Sequence, residues 1–370
     1  MISYFDYNAT HPPLSEIILE ETKDYLENFY NPSGATRFSL KRQKRIEDAR
    51  EFFATKTNKE KQKIVFSSTG TEANHILVSN IKNWERFQGK VYVSPFEHSS
   101  MYGALRKFKI EYEVLKSNEK GLIDLEYLEE KLNQEQAPII IIYASNETGV
   151  IQEISKIGEI AKSFNVPLIS DLMQAVGKIE VDYSYLDGFT FSGHKIGSGM
   201  GASLSYIGFV KKIDSIFSGG NQENGTRAGT ENSLAITQFQ KAFIFQESVL
   251  KEKNSKLISF RDSIEKFFEE KGAEVIGKNS NRLPNTSFLI LPTEDVDFFM
   301  LGLEEREILI STGSSCKSRA REAPSSLLSM GYSKEKALKA IRISTGLFTT
   351  EDDVKNLLRS SGEILNALLR

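Results

Sequence analysis

Four short polar segments of the 370-residue chain carry residue types that can do chemistry at fixed points. Ser192-Gly193-His194-Lys195 follows an apolar run. A lysine leaving a buried strand loses proton affinity, and its free amine can then form a Schiff base with a carbonyl. A solvated or structural lysine is the ordinary alternative. Asp171 stands at the end of another apolar run, with Gln174 three positions on. A carboxylate there needs something cationic facing it, such as a pyridinium nitrogen, unless it simply caps the next helix. Ser67-Ser68-Thr69-Gly70-Thr71-Glu72 places hydroxyls and a glycine at the start of a helix. That is an anion cradle of backbone N–H groups, or only a serine-rich cap. The fourth is Cys316, the single cysteine, flanked by Ser311, Thr312, Gly313, Ser314, Ser315 and Ser318, with Lys317, Arg319 and Arg321 close by. A free cysteine is usually a buried small hydrophobe. This polar, electropositive setting instead favours thiolate on an exposed, flexible loop, which suits a nucleophile.

The elements that must position these residues follow from apolar patterning. Short β-rich runs at residues 64–67, 91–94, 112–115, 139–144, 168–171, 188–192 and 202–210 alternate with helical stretches. One helical stretch, residues 154–164, places Ile154, Ile157, Ile160, Ala161 and Phe164 on one face. Nearly all-apolar strands linked by helices predict an α/β fold with a mostly parallel sheet, and ligands gather at the carboxyl ends of such strands. Beyond about residue 250 the pattern changes. A charged helix precedes strands at 273–276 and 286–291, and the chain closes on a helix opened by the capping box Thr350-Glu351-Asp352-Asp353. Val354, Leu357, Leu358, Ile364, Leu365 and Leu368 form its apolar stripe, and a smaller α+β domain is expected.

Composition narrows the classes. Hydrophobic residues at 39% and charged residues at 26% fit a soluble globular protein. A net charge of −3 gives no bulk attraction to nucleic acid, and Lys41-Arg42-Gln43-Lys44-Arg45 reads as the solvated face of a helix. The start, with Asp6 and no basic-then-apolar pattern, is not a secretory signal, and the longest apolar run is far short of the ~20 residues that span a bilayer. One cysteine forms no internal disulfide and implies a reducing, cytoplasmic setting. Four histidines without a close pair argue against structural zinc.

Taken in order, these segments resemble the cysteine desulfurases, of the class V aminotransferase group of pyridoxal-phosphate (PLP) enzymes. The resemblance runs through Phe5-Asp6-Tyr7-Asn8-Ala9-Thr10, Asn31-Pro32-Ser33, residues 66–74, Glu97-His98 and Asn146-Glu147-Thr148-Gly149-Val150. It continues through Asp171-x-x-Gln174, Ser192-Gly193-His194-Lys195, Arg227-Ala228-Gly229-Thr230-Glu231-Asn232, residues 311–316 and Ile341-Arg342-Ile343-Ser344. Residues 311–316 are similar to the nucleophile loop of the first desulfurase group.

The resemblance implies PLP fold type I. Residues 15–250 are expected to form the large cofactor-binding domain. Residues 1–14 and 251–370 are expected to form a small domain carrying the cysteine loop and Arg342. By the same resemblance Lys195 bonds to the cofactor, Asp171 holds its ring nitrogen protonated, and His98 stacks on the ring as a candidate proton carrier. Asn146 and Gln174 contact the ring oxygen, and Asn146 also borders the substrate. Gly70, Thr71, Ser192 and His194 bind the phosphate, with Thr230 from the other subunit of a homodimer. Arg342 pairs with the substrate carboxylate. The implied reaction moves sulfur from L-cysteine onto Cys316 as a persulfide, leaving L-alanine, for an acceptor protein such as an iron–sulfur scaffold. No metal, membrane or direct nucleic-acid partner is expected.

Selenocysteine lysis or amino transfer on the same scaffold, and a non-catalytic sulfur-assembly protein, are the rival readings. Departures from the family pattern fall at His11, Thr36, Thr69, His75, Asn221 and Asn224, away from the chemical residues. A longer C-terminal tail, with which some relatives dock a scaffold partner, is missing after Arg370.

Overall fold

A computed structural model describes residues 2–312 and 322–369, so Cys316 lies outside the described residues. The strands are β1 (Ser3–Tyr4), β2 (Ile64–Ser67), β3 (Lys90–Val93), β4 (Glu111–Val114), β5 (Ile139–Ile140), β6 (Leu168–Asp171), β7 (Gly188–Ser192) and β8 (Ser203–Ile207). They continue with β9 (Glu274–Val275), β10 (Thr286–Ile290), β11 (Ile308–Leu309), β12 (Ser311–Thr312) and β13 (Ala340–Ser344). A seven-stranded sheet has the order β2-β8-β7-β6-β5-β3-β4. Strands β3 to β7 pair in parallel, and β8 runs antiparallel to both of its neighbours. The expected α/β class with a mostly parallel mixed sheet is what the chain forms. Every residue of β2, β6, β7 and β8 is buried, because helices cover both faces.

The C-terminal third builds an antiparallel sheet, β12-β13-β10-β9, beneath helices Leu250–Glu270, Val296–Glu304 and Glu351–Leu368. Its core gathers Leu257, Phe260, Phe268, Phe299, Leu357 and Leu365. Thr350 and Asp353 form the expected capping box. The N-terminus joins this unit: β1 pairs with β11, Asp6 bridges to Ser344, and Phe5 packs in the same core.

Two readings are corrected. The apolar run 139–144 is a strand only to Ile140, although the amides of Ile141 and Tyr143 still donate to Ile169 and Asp171 on β6. β3 ends beside it, so the second half has a ladder partner on one side only. The basic run 41–45 is not simply a solvated face. Arg42 is buried, donates to Asp24 and Ser233, and shares Asp24 with Arg45. Its partners are distant in sequence, which is why local charge patterning misses them.

One buried ion pair anchors the loop that precedes the Arg227 segment. Arg50 grips Glu223 through both guanidinium nitrogens at 2.7 Å, and Glu223 also accepts the amide of Phe66 on β2. The pair holds Glu223 and Asn224 at φ 50° and 56°, in the left-handed region that side chains disfavour. Glu223→Ala leaves the buried Arg50 charge with only the more exposed Glu47 and the Ile64 carbonyl as partners, a loss of about 3 kcal/mol. Urea unfolding should show the transition midpoint falling accordingly, whereas exchange of an exposed ion pair such as Lys56–Glu247 should scarcely move it.

Candidate active site

Asp171 ends β6 fully buried, and it makes no ion pair among the described residues. Its carboxylate is held by neutral donors: Asn74 Nδ2 at 3.0 Å and the Met173 amide at 2.9 Å. Burial raises its pKa, while the Asn74 amide, the Met173 amide, His98 and Lys195 oppose the rise. Asn74 is itself fixed by Thr190, which donates to its Oδ1 at 2.6 Å. It also donates to Ser100 Oγ, which bonds His98 Nδ1 at 2.8 Å. His98 therefore joins Asp171 through two polar side chains, and burial lowers the pKa of its ring. Both carboxylate oxygens of the buried Glu97 lack a side-chain partner, and burial beside Asp171 drives its pKa well up.

Lys195 leaves β7 through a short 3₁₀ turn, Gly193–Lys195. Its amine donates to the carbonyls of Asn8 and Ala9, both at 2.7 Å. Burial, reinforced by Arg342, depresses its pKa to about 8. Gln174 Nε2 donates to the same Asn8 carbonyl at 3.0 Å.

Arg342, on β13, donates to the Asn146 carbonyl at 2.9 Å and pairs with Asp6 at 2.7 Å. These bonds take two of its five N–H groups, and its Nε is buried without a partner. Glu147 follows Asn146, accepts from Ser326, and is pushed by burial to about 7 despite Arg342 nearby.

The helix Gly70–Ser79 starts where β2 ends. Thr69 caps it, accepting from the Glu72 amide, so the residue that departs from the family pattern performs a local task. A side chain at Gly70 would meet Met173 Cε at 2.7 Å, so the loop packs against the end of this methionine, which would have to move aside. Glu72 accepts from the Ser68 amide and pairs with Arg227, whose guanidinium also reaches Ser68 Oγ. Ser67 Oγ is buried and unpartnered. Ser192 Oγ accepts from Ser203, and His194 meets Thr10 at 3.2 Å with its pKa lowered by burial to about 4. Thr71 starts the same helix, and its carbonyl receives the ring of His75. Thr230 is exposed in the segment that follows Arg227.

The structure thus assembles Asp171, His98, Lys195, Gln174 and Arg342 through shared hydrogen-bond partners and electrostatics. Cys316 falls outside the described residues. A buried anionic strand end, a desolvated amine, unsatisfied donors at Arg342 and Ser67, and a helix N-terminus fit a group with a cationic ring nitrogen, a carbonyl and a phosphate.

The family model described as Aminotransferase class-V matches residues 3–357. The chain belongs to that family. Class V aminotransferases depend on pyridoxal phosphate. The cysteine desulfurase IscS of Clostridium botulinum is 31% identical over 377 residues, covering 98% of this chain and 94% of the relative. That of Dictyoglomus turgidum is 31% identical over 374 residues, covering 99% and 95%. The X-ray structure of a NifS-like protein from Rickettsia africae superposes with a TM-score of 0.88 at 31% identity, covering 99% of this chain and all of that one.

Within this class V aminotransferase, the sequence reading gave no role to Asn8, Asn74, Ser100, Thr190 or Arg227. Asn8, Asn74 and Arg227 lie inside the motifs that carried the resemblance, which was the available signal. Ser100 and Thr190 are ordinary strand and helix-start residues in sequence.

Lys195 chemistry should follow its depressed pKa. The charged amine is inert toward carbonyls, so reactivity rises with pH as the proton leaves. In the apoprotein, the rate of Lys195 modification by an aldehyde, followed by borohydride trapping and peptide mapping, should be half-maximal near pH 8. A half-point near 10.5 would show an unperturbed lysine.

Proposed function

We infer that this chain is a PLP-dependent cysteine desulfurase, converting L-cysteine to L-alanine with transfer of sulfur to Cys316 as a persulfide. The observation that carries this is 31% identity to proteins named cysteine desulfurase along 98–99% of the chain. Four residues expected from sequence support it: Asp171 is linked to His98 through Asn74 and Ser100, and Arg342 and Asp171 both act electrostatically on Lys195.

Pyridoxal phosphate, when bound, supplies a sink for the electron pair released at the substrate Cα. Lys195 Nζ holds it covalently, Asp171 keeps the proton on the ring nitrogen, and His98 covers the ring. Asn146 and Gln174 address the ring oxygen. Gly70, Thr71, Ser192 and His194 receive the phosphate, with Thr230 of a neighbouring copy in a homodimer. Arg342 orients the substrate carboxylate, its unpartnered Nε being an open donor. Lys195 Nζ would also take the Cα proton, which its low pKa permits near neutrality. Cys316 Sγ, as thiolate, attacks the substrate sulfur. The S–S bond forms as the Cβ–S bond breaks and the electron pair passes to Cβ; protonation at Cβ and return of a proton to Cα complete alanine.

The persulfide passes to an acceptor in iron–sulfur cluster assembly or another thio-cofactor or nucleic-acid sulfuration pathway, and the work takes place in the cytoplasm. No helix among the described residues is long and apolar enough to cross a membrane.

Cys316→Ala should leave cofactor binding and Cα proton exchange intact while alanine formation from cysteine nearly stops, with no added sulfur by mass spectrometry. Full activity of the variant on cysteine overturns the reading. Activity retained on selenocysteine alone marks a selenocysteine lyase. Arg342→Lys keeps the charge but loses the two-pronged geometry, so kcat/KM for cysteine should fall roughly 10- to 100-fold with the cofactor still bound.

A further inference from the structure

Lys178 is a second buried amine below the site, and the chemistry above does not use it. It lies four residues after Gln174, with 8% of its surface exposed. Its Nζ donates to Asn8 Oδ1 at 2.7 Å and to Gln174 Oε1 at 2.5 Å. Among the described residues it makes no ion pair.

These two bonds fix the direction of two amides. An amine proton can face only the oxygen end of an amide, so Lys178 forces Gln174 to present Nε2 to the Asn8 carbonyl. Together with Asn285 Nδ2, which donates to the same Asn8 Oδ1 at 3.2 Å, it turns Asn8 Nδ2 toward the Asn146 carbonyl and Thr286. The Asn8 carbonyl then receives Lys195 Nζ on one side and Gln174 on the other. Asn8 is therefore the joint between the two lysines, and Lys178 holds its side chain while Lys195 rests on its backbone.

We propose that Lys178 is a positioning residue, which sets the orientation of Asn8 and Gln174 and through them the place of the Lys195 amine. The role needs no charge on Lys178. A neutral amine has two N–H donors, and the two amide oxygens match them. The charged groups around it are Lys195, Arg342 and Lys253, opposed by Asp6, so burial and three cations favour the neutral form.

The proposal rests on the reading of Lys195 as the cofactor lysine, and the test separates the two. Wild-type, Lys178→Met, Asn8→Ala and doubly substituted apoproteins are treated with pyridoxal phosphate. The rate of covalent loading at Lys195 is measured on the high-pH plateau, where protonation no longer limits it. Loss of two buried hydrogen bonds should lower the Lys178→Met plateau roughly 10-fold. Because Lys178 acts through the Asn8 side chain, the double substitution should be no slower than the slower single one. A buried lysine replaced by methionine usually leaves a folded protein, and thermal melting checks this. Should it not melt cooperatively, Lys178→Gln is read in its place with the same expectation, its amide being too short to reach both oxygens.

A folded variant with a wild-type plateau overturns the proposal, as do multiplicative losses in the double variant. Wild-type protein that loads at another lysine, or not at all, overturns the reading of Lys195 instead. Cysteine and Cys316 take no part in the assay.

Discussion

A carboxylate buried without a counter-charge is the constraint around which the site is arranged. Asp171 ends its strand inside the protein, where an isolated anion is strongly disfavoured. Neutral donors from Asn74 and the Met173 backbone reduce that penalty without cancelling it. The remainder is an electrostatic demand for a cation directly outside β6. Asn74, Thr190, Ser100 and His98 form a chain of polar contacts whose first member addresses Asp171 and whose last is a titratable ring. Polar networks of this kind have value only when their members are satisfied, which ties the helix Gly70–Ser79 to β6, β7 and the start of helix Ser99–Lys107.

Opposite this anion, the protein gathers cations and leaves them short of partners. Lys195 rests on carbonyl oxygens only, and Arg342 keeps its Nε unpaired. Arg342 adds to burial in lowering the need of Lys195 for a proton, so the amine nearest the reaction is free at a pH where ordinary lysines are not. Burial does opposite things to the two signs of charge here: it raises Asp171 and lowers Lys195. Pulling the two pKa values toward neutrality is how one pocket can hold both a proton holder and a proton taker.

Much of this was legible before any coordinates. The strands Ile64–Ser67, Leu168–Asp171 and Gly188–Ser192 coincide residue for residue with the expected runs, because burial on both faces keeps them largely apolar up to the polar residue that ends each one. The polar residues immediately after those runs became the site, as the parallel topology requires. Run 139–144 was overextended because apolar composition signals burial, not the presence of a second ladder partner. Arg42 was misjudged because its acceptors, Asp24 and Ser233, lie 18 and 191 residues away. Asn74, Ser100 and Thr190 were silent for the same reason: neutral side chains acquire a role only from what they face.

The N-terminus has a consequence for how the molecule is made. Ser3 bonds Asp353, 350 residues distant, and the Asn8 amide bonds Ser344 Oγ, 336 residues distant. The two carbonyls that receive Lys195 belong to Asn8 and Ala9, which are synthesised before every strand of the seven-stranded sheet. They reach their places only when β13 and the last helix have been synthesised. A nascent chain can form the seven-stranded sheet early, yet the segment that seats its lysine is anchored only once β13 and the helix after it are made. Competence to hold the cofactor is therefore acquired late, and a chain truncated near either end should carry a folded sheet with an unfinished pocket.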